Sequence, residues 1–344
     1  AEELVDELLG RGIQVQVDRD TGKRVTLVLR GSLVEQNHDT GVFVSGSDAT
    51  IEGTVVRGTL PRPSDQLLGL GIQVQDDPDA GERATLTLRG SIVEQNHDIG
   101  VFVYGSDATI EGCRIANTVP NMLGPFGHGI QASDSPTTGE RATLTLRGSL
   151  VEHNHALGVL VTGSDATVEG TVVRDSLPQA SDQLLGRGID VQYDPDAGER
   201  ATLVLRGSLV EQSHEAGVFV VDSDATIDGC RIVHTLPNHF GRFGDGLVVA
   251  GLPAQPASAR VVATRIEQSA RAALSNFGAS MTHGSTLMQC QSFDLEGEPN
   301  GGSNFSFDHL GGSLCGCPVA DRECAVLSAG LDPPDLAEPS TPTR

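Results

Sequence analysis

The sequence predicts an all-β solenoid of about ten short coils, ending in an irregular, cysteine-bearing cap. Three observations lead there. A glycine heads a short Val-rich run at Gly12, Gly41, Gly71, Gly100, Gly129, Gly158, Gly188, Gly217 and Gly246, always 29 or 30 residues apart. Within each unit the apolar residues alternate with polar ones, as in "GIQVQ" or "ATLTLRGSLV", the period of a half-buried strand. Units this short cannot each bury a core alone, so they must stack.

The elements follow in order. Residues 1–11 read as a small N-terminal cap or a truncated repeat. "AEELVDELLGRGIQVQ" aligns with "PQASDQLLGRGIDVQ", which would set Leu4, Val5, Leu8 and Leu9 on the first coil. Residues 12–290 carry the repeats. The phrase "EQNHDTGVFVSGSDATIEG" (35–53) returns nearly intact at 94–112, 152–170 and 211–229, so the period in sequence is two coils. "LPRPSDQLLG" (60–69) matches "LPQASDQLLG" (177–186), and "VPNMLGPFGHG" (119–129) matches "LPNHFGRFGDG" (236–246), a duplication of 117 residues. A degenerate run, "ALSN", follows at 273–276. Residues 291–344 form the cap and a Pro-rich tail.

Composition limits the partners. The formal net charge is -23, and the bases include a single lysine, Lys23. Such a surface repels nucleic acid and anionic membrane, and no apolar run is long enough to span a bilayer. The opening residues are acidic and lack a signal-peptide pattern, as in a processed or trimmed chain. Cys290, Cys315, Cys317 and Cys324 crowd the cap and read as two disulfides, which places the protein in an extracellular or cell-surface setting. Their spacing is poor for zinc. Cys113 and Cys230 occupy equivalent repeat positions and read as buried, reduced thiols.

In a stacked sheet equivalent positions become ladders. One outward column runs Arg30, Glu52, Arg89, Glu111, Arg147, Glu169, Arg206, Asp228, alternating in sign. A second runs Glu35, Arg57, Glu94, Ala116, Glu152, Arg174, Glu211, Val233. Both read as devices that fix register. A third, Ser32, Thr54, Ser91, Cys113, Ser149, Thr171, Ser208, Cys230, reads as small hydrogen-bonding groups at a tight bend. His38, His97, His155 and His214 recur every second coil, roughly 10 Å apart. That is too far for one metal, so they read as turn residues. In "NHDTG" the glycine is expected to supply positive φ.

The glycine-headed units resemble those of the right-handed parallel β-helix proteins, the broad superfamily that includes pectate lyases and polygalacturonases. The resemblance covers about residues 10–290 and implies a right-handed parallel β-helix of about ten rungs. "GHG" at 127–129 resembles a polygalacturonase segment and puts His128 forward, but the family's Asp pair and "RIK" segment have no counterpart. Near-perfect repeats place the same residue on every rung, so chemistry is expected where the symmetry breaks. There the candidate catalytic residues are His128, His239 and Asp245.

Lyases of this fold neutralise a uronate with Ca²⁺ or basic groups. The turns "DDPDAG" and "YDPDAG" offer Asp77, Asp79, Asp194 and Asp196 as calcium ligands, although the same spelling makes an ordinary turn. No other cofactor is called for. Strand alternation points Phe43, Phe102, Leu160 and Phe219 outward, alternating with Gln14, Gln73, Gln131 and Asp190. Exposed, the stripe Phe43, Phe102, Phe219 with Gln73 and Gln131 would bind a sugar chain. The preferred alternative is that Leu67, Leu68, Leu184 and Leu185 fold over it. The expected function is an extracellular or surface-associated structural and binding protein, carbohydrate-interacting and without catalysis. The alternative is a polysaccharide-degrading enzyme, lyase before hydrolase. The expected partners are a polysaccharide or a surface protein, with end-to-end self-association a further expectation.

Overall fold

The computed structural model describes residues 10–18, 20–121, 124, 126–317 and 324–337. The expected N-terminal cap, with Leu4, Val5, Leu8 and Leu9, lies outside the described residues, as do the last residues of the tail. The described chain winds through three sheets of twelve, eleven and eleven strands. One turn shows the plan: Thr40–Ser45 lies in the first sheet, Asp48–Glu52 in the second and Val55–Arg57 in the third. All sheet pairings are parallel, and each strand pairs with its equivalents one turn before and after. Val42 faces Ile72 and Val44 faces Val74. No described residue is helical. The right-handed parallel β-helix is therefore the fold. Four further strands, Phe293–Glu298, Ser306–His309, Leu314–Cys315 and Val326–Leu327, carry the three sheets into the cap.

The core sits inside the tube. Every second residue of each strand points inward, so Val42, Val44, Ile51 and Val56 of one turn are fully buried. Each contributes about 1.5–3 kcal/mol over its exposed state. At the bend between the second and third sheets, backbone amides donate to the small polar ladder. Thr54 N–H donates to Ser91 Oγ at 3.1 Å, Ser91 N–H to Cys113 Sγ at 3.5 Å, and Cys113 N–H to Ser149 Oγ at 3.1 Å. Cys113 and Cys230 are buried free thiols whose pKa burial pushes up.

The repeated glycine has another role than expected. The positive φ of "NHDTG" belongs to Asp39, and to Asp98, Ala156 and Glu215 at the equivalent corners. The glycine is needed for close stacking. A Cβ on Gly71 would lie 2.5 Å from the carbonyl oxygen of Gly100, and one on Gly100 would lie 2.6 Å from that of Gly129. Only a missing side chain lets successive turns approach to the strand spacing.

The outer columns pair as charge ladders. Arg30–Glu52 and Arg89–Glu111 meet at 2.8 Å, and Arg57–Glu35 at 2.8 Å. Where the second column is interrupted at Ala116, Arg114 from two residues earlier reaches Glu94 at 2.6 Å and Glu152 at 2.8 Å. Exposed pairs of this kind add little stability, but a slip of one residue would break every pair in the column and turn its charges toward the core face. At the far end Cys290–Cys317 and Cys315–Cys324 are disulfides.

Two glycines separate the two roles. Gly100→Ala should cost on the order of 3 kcal/mol, because the methyl meets backbone that cannot move alone. Gly112→Ala, at φ 60° with open space around it, should cost only about 1–2 kcal/mol. Urea denaturation of both variants measures the difference, and equal losses would contradict the stacking role.

Candidate binding face

The outer side of the first sheet carries a second layer, and the corner loops roof it. In the loop after Thr59, Arg62 N–H donates to Leu67 O at 2.9 Å and Gln66 N–H to Arg62 O at 2.8 Å. This tight turn throws Leu68 to φ 62°, and its duplicate throws Leu185 to φ 60°. A leucine in that region costs about 1–2 kcal/mol, which burying the side chain offsets. Leu67, Leu68 and Leu70 pack on Phe102, and Leu184 and Leu185 pack on Leu160. Phe43, Phe102 and Phe219 do leave the tube core, but they are 5%, 1% and 0% exposed. Gln73 and Gln131 are buried too, and their amides donate to Gln75 Oε1 at 2.8 Å and Ser133 Oγ at 3.0 Å. The proposed aromatic and amide stripe is thus a covered layer and not a solvent-facing one.

Sequence reading missed the ions in this layer. Arg187 is fully buried over the Phe219 ring at 4.2 Å, and bonds Asp190 at 2.8 Å and Glu215 at 2.9 Å. Arg271 pairs with Asp245 and, at 2.6 Å, with Glu296. Arg11 pairs with Asp39 at 3.0 Å. Burial pushes the carboxyls of Asp190 and Asp245 upward while the guanidinium beside each pulls the other way. The signal was present in the duplication: Leu70 and Arg187 are equivalent positions, as are Asp98 and Glu215.

The three catalytic candidates do not meet. His128 and Asp245 stand at the same corner of turns four apart, about 19 Å along the axis. Asp245 is committed to Arg271, and Ser275 Oγ donates to it at 2.9 Å. His239 is exposed, with Phe240 edge-on at 5.2 Å. His128 is buried, holds Gln131 Oε1 at 3.2 Å through Nδ1, and leaves Nε2 without a partner. Burial depresses its pKa to about 4. One turn earlier, buried Asp98 has its pKa pushed up to about 7, and its Oδ1 has no partner.

The calcium candidates form turns. Asp77 Oδ1 accepts from the amides of Asp79 and Ala80 at 3.0 Å, and Asp194 Oδ1 from Asp196 at 2.7 Å and Ala197 at 3.1 Å. These are Asx turns, and Asp77, Asp79, Asp194 and Asp196 do not converge on a common point. Among the described residues Glu152, His153 and Asp175 do converge within 4.8 Å. Glu152, however, already binds Arg114 and Arg174, so a cation there would compete with two guanidinium groups. Asp134 lies against Asp194, and burial together with that carboxylate raises its pKa to about 7.

The histidine column shapes the open surface. His38 Nδ1 lies 2.9 Å from Pro61 O, and His97 Nδ1 2.9 Å from Thr59 O. A carbonyl only accepts, so each Nδ1 carries a proton, and in the neutral ring each Nε2 is an acceptor. Between the two rings runs a groove of about 380 Å³, lined by Leu60, Pro61, Pro63, Gln66, Pro120 and Asn121. No lining residue is an acid or a lysine or arginine, in a chain of net charge -23. The neighbouring Arg62 and Asp65 pair with each other at 2.8 Å.

The family described as right handed beta helix region matches residues 10–232, and the chain belongs to it. No curated protein matches the sequence. Among solved structures, it is similar to a tailspike protein from Acinetobacter baumannii bacteriophage Fri1, a capsular polysaccharide depolymerase, at 11% identity and a TM-score of 0.37. That alignment covers 86% of this chain and 65% of the tailspike chain. An alginate lyase from Paenibacillus aligns at 10% identity and a TM-score of 0.31, over 80% of this chain and 98% of the lyase. An α-1,3-glucanase catalytic unit from Streptomyces thermodiastaticus aligns at 13% identity and a TM-score of 0.33, over 88% of this chain and 65% of the glucanase. This chain thus spans less than two thirds of the tailspike and glucanase chains. At these identities the likeness is one of fold.

His128 and Asp98 give opposite pH limbs. His128 favours folding above pH 6.5 and loses that contribution as pH falls toward 4. Asp98 favours folding below about pH 4 and destabilises as pH rises through 7. Each shift corresponds to about 3–4 kcal/mol. Asp98→Asn should therefore raise the melting temperature by several degrees at pH 8 and leave it nearly unchanged at pH 4. Calorimetry at the two pH values checks this, and a loss at pH 8 would mean that the carboxylate has a cationic partner.

Proposed function

We propose that the chain is a structural and binding module of an extracellular or surface-associated protein, engaging an uncharged polysaccharide and carrying out no reaction of its own. The uncharged histidine–proline groove carries this reading. Proline rings suit the C–H face of a sugar ring, and the fixed Nε2 acceptors suit its hydroxyls. Their separation of two coils, roughly 10 Å along the axis, favours a polymer over a single sugar. A strongly acidic surface elsewhere disfavours a uronic-acid chain. The two cap disulfides support an oxidising compartment. The charged residues of the repeats are largely paired in ladders or buried beneath the roof, which supports a scaffold over a catalyst.

The test is a panel of neutral and uronic-acid polysaccharides, with and without Ca²⁺, read for both retention and chain length. Retention of a neutral polymer with unchanged length is expected. The His38→Ala/His97→Ala protein should bind it at least tenfold more weakly, since two hydrogen bonds are worth about 1 kcal/mol each. Shortened chains would overturn the non-catalytic reading, and binding indifferent to the double substitution would overturn the groove.

A further inference from the structure

On the covered face one turn departs from the pattern of its equivalents at two neighbouring positions. Where other turns carry Phe43, Phe102 and Phe219, this one carries Leu160. Where they carry Asp39, Asp98 and Glu215, it carries Ala156. Both replacements are smaller, and the space is filled from far along the chain. Ala337, 2% exposed, packs with Ala156, Leu157, Leu160 and Leu185.

The segment that delivers Ala337 is "LDPPDLA" at 331–337. It leaves the cap where Ser328 Oγ and Gly330 N–H donate to Glu298 at 2.7 and 2.6 Å. It then runs back across the turns to Leu157–Thr162. Five strand spacings separate those two turns in the first sheet, about 24 Å. Seven residues of polyproline II chain extend about 22 Å, so the segment must be nearly fully extended. Pro334 and Ala337 are buried, whereas Asp335 and Leu336 are exposed. A three-residue spacing of buried positions is what a polyproline II helix offers to a surface.

The groove reads the backbone of that segment. Arg187 Nη2 donates to Asp335 O at 2.5 Å, and Gln192 Nε2 to Ala337 O at 2.8 Å. A cleft of about 300 Å³ remains beside it, bounded by Gln179, Leu184, Arg187 and Glu215. Side-chain N–H donors aimed at backbone carbonyls beside a leucine-lined slot match the recognition of extended, proline-bearing peptides, whose carbonyls have no internal partner. In the first half of the duplication Leu70 stands where Arg187 stands, and Phe43 where Leu160 stands, so the second half alone has this combination.

We propose that the outer face at Leu160, Leu185, Arg187 and Gln192 is a binding groove for an extended, proline-bearing peptide, and that residues 331–337 occupy it as an intramolecular ligand. An external peptide of this class enters only when the strap leaves. The site is separate from the histidine–proline groove and does not rest on the carbohydrate reading.

The probe is a fluorescein-labelled peptide of sequence LDPPDLA, titrated by anisotropy against the full chain. Ala337→Arg places a charge on the buried methyl and should eject the strap, so this protein should bind the probe at least tenfold more tightly than the unsubstituted chain. Adding Leu160→Phe fills the slot and should abolish the gain. If Ala337→Arg does not fold, Pro333→Gly/Pro334→Gly loosens the strap without touching the groove, and a smaller gain is expected. Folded variants that bind the probe no better than the unsubstituted protein overturn the proposal. So would a gain that Leu160→Phe leaves intact.

Discussion

Contact between successive turns at the glycine column is the constraint on which the rest depends. From Gly41 to Gly246 each glycine of the column lets the next turn's carbonyl sit close to where a Cβ would be. With the spacing fixed there, three parallel sheets can run in unbroken register along the axis. Inward valines and isoleucines then stack into a continuous core, and outward charges fall into columns. A single methyl in the glycine column would act on two turns at once, whereas most surface substitutions act on one.

Stacking also dictates what the repeated polar residues can do. A residue present on every second turn finds the same neighbours at each copy and not a varied set. The small polar ladder satisfies backbone amides at a bend, the Arg and Glu columns favour one register, and each histidine ring anchors a corner carbonyl. Function must therefore sit where the copies differ or where loops leave the coil. Both surfaces singled out above obey that rule: the histidine–proline groove lies between two different loops, and the strap lies over the turn that has lost its phenylalanine.

The roofed layer is a second core with different chemistry. Loops that fold back exclude water from the outer face of the first sheet, which turns Arg187, Asp190, Glu215, Asp245 and Arg271 into buried ions. Removing one partner from such a set would strand a charge and cost far more than the loss of a surface pair. Asp98 shows the contrast, because its half of the duplication has Leu70 where the other half has Arg187. Its carboxyl is consequently held closer to neutrality.

The residue order alone made the coil, its period, the inward positions and the charge ladders legible. These depend on neighbours one repeat away, and the spacing of identical residues reports such neighbours directly. It also showed the cap cysteines as a group, but not that Cys290 would join Cys317 and Cys315 join Cys324. The ion sets under the roof and the return of Ala337 to Leu160 were decided only by the tertiary structure, which also chose the covered state of Phe43, Phe102 and Phe219 over the exposed one. The physical reason is that loops and tail reach their partners by folding over the outer face, and the contacts they make there follow no period. Alternation tells which side of a strand a side chain leaves from, not what comes to cover it.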